Sequence, residues 1–120
     1  MKRLLDLERQ VNFSFISEYM IMNKSIVNEM IQKIEQRNGC YWIEAVLKCI
    51  NELDRFHSGF SEYETYGNYI FKNHQDLCGI LRLNTIRKGK DVFGGKVPPK
   101  GELDEFAQKN QYDTISFENY

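Results

Sequence analysis

Two amphipathic helix patterns, separated by a glycine, constrain this chain more than any other feature of its sequence. In the first, apolar residues recur on one helical face; they are Ile26, Val27, Met30, Ile31 and Ile34. Asn23 is placed to cap the start of this helix, and Asn38-Gly39 is placed to end it. The sequence therefore predicts a helix over residues 24–37 with one buried face.

The second pattern follows directly and has the same period. Its apolar face is formed by Trp42, Ile43, Val46, Leu47, Ile50 and Leu53. This spacing predicts a second amphipathic helix over residues 41–54. Ser58-Gly59 then interrupts the pattern.

A third helix is predicted from the stretch GFSEYETYGNYIFKNH at residues 59–74. Ser61 and Glu64 have the S-x-x-E spacing of a capping box, so we expect a helix from residue 61 to residue 73. Phe60, Tyr63 and Tyr66 recur every third residue, which favours a packed helix face. An aromatic ring also stacks well on a sugar, so one of them could instead border a binding site.

Gly67 falls inside this third helix, where glycine costs about 1 kcal/mol relative to alanine. Its presence indicates that something approaches the helix closely at this position. The sequence leaves two alternatives open, a neighbouring element of the chain or a ligand.

The remaining segments are less regular. FSFISEYMIMN predicts a buried strand over residues 14–22. The glycine-rich and lysine-rich segment after His74 predicts a short extended piece followed by an irregular basic loop over residues 87–100. A last helix over residues 102–109 and a final strand or extended tail in YDTISFENY complete the prediction. The fold class expected is α/β or α+β, with about four helices and a small sheet in a single domain over residues 1–120.

Composition narrows the class of partner. Hydrophobic residues make up 42% and charged residues 28% of the 120 residues, as in ordinary globular proteins, and the net charge of −1 favours neither nucleic acid nor an anionic membrane. No segment approaches the roughly 20 apolar residues of a membrane-spanning helix. The apolar run near the start is broken by charges, and the three cysteines have no paired spacing, so a cytoplasmic location is expected.

Four segments carry a family resemblance. FISEYMIMNKSIVNEMIQKIE, GFSEYETYGNYI, LRLNTIRKGKDVFG and YDTISFENY, in that order, resemble the C-terminal half of a poorly characterised family of glycosyltransferase-like proteins of the nucleotide-diphospho-sugar transferase fold. The SEYxxYGN and IRKGxxxFG segments account for most of this resemblance. The resemblance implies a helix-rich portion of a GT-A sandwich, with a nucleotide sugar and a glycan acceptor as ligands.

The sequence departs from the pattern of the family in two places. It has Glu18-Tyr19-Met20 where relatives tend to have E-H-M, and it has no D-x-D motif or nucleotide-binding half before Phe13. The divalent metal, manganese or magnesium, is therefore expected only in the intact family and not in this chain. By the same reasoning the chain is expected to be inactive alone, and to self-associate or bind a partner chain over an exposed apolar face.

The resemblance also nominates site residues. Inverting sugar transfer needs a carboxylate base near the acceptor hydroxyl, and Glu62 at a helix N-terminus is the candidate. The alternative is that Glu62 only complements the helix dipole, which would also weaken it as a base, while Glu64 completes the capping box. Tyr66 and Gly67 are candidates for the substrate-binding site.

Three further residues are candidates for substrate binding. Arg87 is expected to bind the diphosphate of a sugar nucleotide through bidentate hydrogen bonds, with Lys88 next to it, the alternative being a solvated basic loop. Glu18 lies in an apolar run and is either a paired structural ion or a site residue. His57 and His74 lack the spacing of metal ligands, so surface or capping roles are predicted.

The competing function is a non-catalytic small helical interaction or structural domain.

Overall fold

The computed structural model describes residues 1–17, 19–50 and 59–117, and these form two compact units, Met1–Cys78 and Gly79–Tyr120. In its described residues the first unit contains α1 (Lys2–Leu5), α2 (Lys24–Asn38), α3 (Trp42–Cys49), α4 (Glu62–Asn73) and a 3₁₀ turn, Gln75–Leu77. The second contains β1 (Thr85–Ile86), α5 (Gly89–Val92), α6 (Lys100–Asn110) and β2 (Thr114–Ile115). The fold is thus mixed helix and small sheet, compatible with α/β or α+β.

Helix α2 confirms the prediction from the first amphipathic pattern. The side-chain oxygen of Asn23 accepts hydrogen bonds from the backbone N–H of Ser25 at 2.9 Å and of Ile26 at 3.4 Å, which caps the helix. Gly39 ends it in the left-handed conformation, with φ of 63°, and donates its N–H to the carbonyl of Glu35. Local sequence therefore sets both ends of this helix.

Helix α3 is shorter than the prediction of residues 41–54. Ile50 has extended backbone angles and ends the helix after Cys49, while residues 51–54 lie outside the described residues. Ala45 and Val46 are buried, but Ile43 is 43% and Leu47 is 62% exposed. The predicted apolar face is therefore wrong at Ile43 and Leu47, because the core contacts the side of α3 that carries Ala45.

Helix α4 begins and ends as predicted. The hydroxyl of Ser61 accepts a hydrogen bond from the backbone N–H of Glu64 at 3.2 Å, and the N–H of His74 closes the last turn on the carbonyl of Ile70. All residues from 65 to 70 are buried. Because burial extends around its whole circumference, α4 is the central helix of the first unit.

The segment before α2 is not the predicted strand. Residues 14–17 and 19–22 contain no strand, and the chain instead runs along α4 with Phe15 buried against it. Its backbone N–H groups bond to side chains of α4: that of Phe15 to Glu64 Oε1 at 3.1 Å and that of Asn23 to the hydroxyl oxygen of Tyr66 at 2.8 Å. The strand prediction is wrong: the described residues of this segment pair with no neighbouring strand, and these two N–H groups bond to side chains of α4 instead.

The core of the first unit lies between the N-terminal residues and the three longer helices. Leu4 and Leu7 are buried there together with Ile34 of α2, Ala45 of α3 and Tyr69 of α4.

No described helix is both long enough and apolar enough to span a membrane.

The second unit is held by a short parallel pairing. Thr85 pairs with Thr114 and Ile86 with Ile115, and the two threonine hydroxyls lie 2.7 Å apart. The predicted helix at 102–109 is confirmed within α6, and the predicted final strand is observed only as β2. The predicted irregular loop at 87–100 contains the short helix α5.

A buried glycine and a group of aromatic rings complete the second unit. A Cβ on Gly89 would lie 2.8 Å from Ile115 Cγ2, Phe117 Cε1 and the carbonyl oxygen of Ser116, so only glycine fits there. The ring of Phe93 contacts the rings of Phe106 and Phe117, with centroids 4.9 Å and 6.0 Å apart.

Candidate functional site

Glu62 lies in the first turn of α4 with its side chain exposed to solvent. Within the part of the chain that the structure describes, its carboxylate makes no hydrogen bond or ion pair. The N-cap of Ser61 fixes the helix end on which it stands. An exposed, unengaged carboxylate on a fixed helix end can accept a proton or a hydrogen bond from a ligand hydroxyl.

Glu64 has a structural role that the sequence predicted only in part. Its N–H bonds to Ser61, as a capping box requires, but its carboxylate turns away from the helix end. It accepts hydrogen bonds from the Ser14 hydroxyl and the Phe15 N–H, and it lies 3.7 Å from the guanidinium of Arg9. Glu64 therefore ties the extended segment at residues 9–15 to α4.

Asn68 is fully buried and completes this attachment. Its Oδ1 accepts the backbone N–H of Gln10 at 2.7 Å, and its Nδ2 donates to the carbonyl oxygen of Glu64 at 2.7 Å and to Glu64 Oε2 at 3.2 Å. We did not predict this role. The available signal was the i, i+4 spacing of Glu64 and Asn68, which places both side chains on one helical face.

Tyr66 was predicted as a substrate-binding residue, and the structure places it in the core. It is 2% exposed, and its hydroxyl oxygen accepts the N–H of Asn23, the residue that caps α2. These contacts favour the packing alternative for Tyr66. A substrate contact at this residue stays a prediction.

For Gly67, the structure supports the alternative of a neighbouring element of the chain, and a substrate contact there stays a prediction. A Cβ on this residue would lie 2.2 Å from Cγ of Phe15 and within 2.6 Å of both Cδ atoms. The close approach inferred from the sequence is therefore made by a neighbouring segment of the chain, namely the ring of Phe15.

Arg87 and Lys88 lie in the second unit, between β1 and α5, whereas Glu62, Tyr66 and Gly67 belong to the first. The carbonyl of Arg87 accepts the hydroxyl of Ser116 at 2.9 Å, and Lys88 forms an antiparallel bridge with Phe117. Both side chains are exposed to solvent. Glu18, the remaining predicted site residue, lies outside the described residues, as does His57.

A second polar cluster surrounds Glu29 of α2. Its carboxylate accepts hydrogen bonds from the hydroxyl of Tyr69 at 2.5 Å and from Nζ of Lys33 at 2.9 Å, and Nε2 of His74 lies 2.9 Å from its other oxygen. The Tyr69 hydroxyl, followed by the Lys33 ammonium, lowers the pKa of Glu29 from its ordinary 4.5 to about 2. Burial, followed by the Glu29 carboxylate, raises the pKa of Tyr69. This cluster joins α2 to the end of α4.

Among the residues that the structure describes, no group of three or more His, Cys, Asp or Glu side chains could hold a metal ion. Comparison of the chain with protein-family models, curated proteins and solved structures finds no match.

Proposed function

We propose that this chain is part of a glycosyltransferase-like protein of the GT-A fold, in which Glu62 is the base that serves the glycan acceptor. The proposal rests on the carboxylate of Glu62, which is exposed, makes no hydrogen bond or ion pair among the described residues, and lies on a helix end capped by Ser61. The SEYxxYGN and IRKGxxxFG segments support it by their resemblance to that family.

In the proposed reaction, the acceptor hydroxyl gives its proton to Glu62 while its oxygen forms a bond to the anomeric carbon of the donor sugar. The bond from that carbon to the diphosphate oxygen breaks, and the nucleoside diphosphate leaves with the electron pair. Arg87 and Lys88 are the candidates to bind the diphosphate oxygens. The role of Glu64 and Asn68 is to anchor the extended segment on the helix that carries Glu62.

Saccharide binding tests this proposal without requiring turnover. Saturation-transfer NMR on the whole chain with a panel of glycans and nucleotide sugars should detect at least one ligand. Glu62→Gln should weaken glycan binding, because a hydrogen bond to a charged group contributes about 1.5–3 kcal/mol, or roughly tenfold or more in affinity.

The matched control is Glu44→Gln, since Glu44 is an exposed glutamate in the first turn of α3. It removes the same charge from the same kind of position and should leave glycan affinity unchanged. If no saccharide binds, or if both variants weaken binding equally, Glu62 is not the acceptor base.

The second candidate is a non-catalytic interaction domain. It is favoured by the exposure of Ile43 and Leu47 on α3, which leaves apolar surface available to a second copy or another chain. Light scattering should then show a mass above that of the monomer, and Leu47→Lys should restore the monomer. A monomeric wild-type chain would remove self-association from consideration.

A further inference from the structure

A cleft of about 230 Å³ opens on the first unit between the N-terminal residues, α2 and α4. Leu5 and Leu7 form its apolar wall, and the other lining residues are three cations and two neutral polar residues, namely Lys33, Arg37, Lys72, Tyr69 and Asn73. The cations come from two helices that are separate in sequence, so the fold brings them together. Arg37 and Lys72 lie outside the segments that carry the family resemblance, whereas Lys33 lies within the first of them.

The charged side chains that line this cleft are all positive. No carboxylate is among its lining residues in the described part of the chain. Two acidic side chains outside the lining interact with the cations: Glu29 bonds to Lys33 at 2.9 Å, and Glu8 interacts electrostatically with Lys72. Arg37 makes no hydrogen bond or ion pair among the described residues. Arg37 is also exposed to solvent.

Helix dipoles explain these cations only in part. Arg37 and Lys72 each lie in the last turn of a helix, where a positive charge is favourable. That accounts for each residue separately but does not require the two helix ends to meet at one cleft with Lys33 between them. The same dipoles present partial negative charge to the cleft, so an anion there would depend on the three side chains.

We infer that this cleft binds the phosphate group of a small ligand, a phosphomonoester or phosphate itself, through Arg37, Lys72 and Lys33. Arginine offers paired N–H groups that match two phosphate oxygens, and the lysines add point charges. The volume is below the roughly 300–1,000 Å³ of sites for drug-sized ligands and is enough for a phosphate group. This inference is independent of the proposed function and of Glu62.

Titration of the whole chain with inorganic phosphate and with glycerol phosphate, followed by amide chemical shifts, tests the inference. Shifts should be centred on the ends of α2 and α4. The double variant Arg37→Gln/Lys72→Gln should weaken binding at least tenfold, and Arg37→Lys should weaken it less because it keeps the charge but loses the paired donors.

The control is Lys24→Gln/Lys48→Gln, which removes the same charge from exposed positions outside the cleft. It should retain the affinity of the wild-type chain. No saturable binding, or equal weakening by the two double variants, would overturn the inference, since the latter would mean that only net charge attracts the anion. Circular dichroism of each variant verifies that α2 and α4 are intact, and Arg37→Lys supplies a readout if the double variant fails to fold.

Discussion

The ring of Phe15 lies directly over Gly67, so close that a single added methyl group would overlap it at 2.2 Å. This contact joins the extended segment before α2 to the centre of α4. It also lies next to the hydrogen bonds that the backbone N–H groups of Phe15 and Gln10 donate to the side chains of Glu64 and Asn68. A ring packed on a helix and two side-chain acceptors therefore fix the course of a segment that has no strand partner.

Gly67→Ala should destabilise the protein by about 1–3 kcal/mol, since the new methyl group must displace the Phe15 ring. Urea unfolding measures the change. Gly101→Ala in α6 is the control, because no atom lies within 4 Å of its Cβ position and alanine has the higher helix propensity, so stability should hold or rise. Added to Phe15→Ala, the Gly67→Ala change should cost less than it does alone, and strict additivity would contradict the contact.

Asn68→Leu should cost about 1–3 kcal/mol, because it leaves the N–H of Gln10 and part of the Glu64 carboxylate without their partner in a buried site. Chemical denaturation and hydrogen exchange of the Gln10 amide are the measurements. Asn110→Leu, at an exposed position that bonds only its own helix, should change stability much less. Equal effects of the two substitutions would show that the Asn68 network is not stabilising.

Stability at acid pH should depend on Glu29. Its pKa is lower in the folded protein than the ordinary value of 4.5, so its contacts stabilise the fold fully above that pH and are lost as pH falls towards about 2. The Tm of the wild-type chain should therefore fall across this window. Glu29→Gln removes the titrating group and should give a shallower fall.

The control for this pH dependence is Glu44→Gln, which lies 3.9 Å from Lys48 with both side chains largely exposed. Its profile should follow that of the wild-type chain, because exposed ion pairs contribute little. Identical slopes for Glu29→Gln and the wild-type chain would refute the coupling of Glu29 to the fold.

Gly89→Ala should disrupt the second unit, since the added Cβ would meet two side chains and the Ser116 carbonyl at 2.8 Å. The expected cost is about 1–3 kcal/mol, with loss of the hydrogen bond from the Gly89 N–H to that carbonyl. Hydrogen exchange of the Gly89 amide reports it directly. Gly79→Ala has open space around its Cβ position and should leave this protection unchanged.

The sequence alone determined the helix ends that depend on local bonds. Asn23 and Gly39 delimit α2, and Ser61 starts α4, because a capping side chain and a left-handed glycine act within a few residues of the helix end. The period of apolar residues likewise identified the buried face of α2. The presence of a close contact at Gly67 could also be read from the cost of glycine in a helix.

Only the tertiary structure decided which groups meet across long separations. The segment at residues 14–22 has the composition of a strand, yet the N–H of Phe15 bonds to Glu64, and the N–H of Asn23, just after the segment, bonds to Tyr66, each more than 40 positions along the chain. Periodicity could not reveal this, because it records which face of an element is apolar and not what covers that face. For the same reason the cluster at Glu29 and the cleft at Arg37 emerged only when α2 and α4 were packed together.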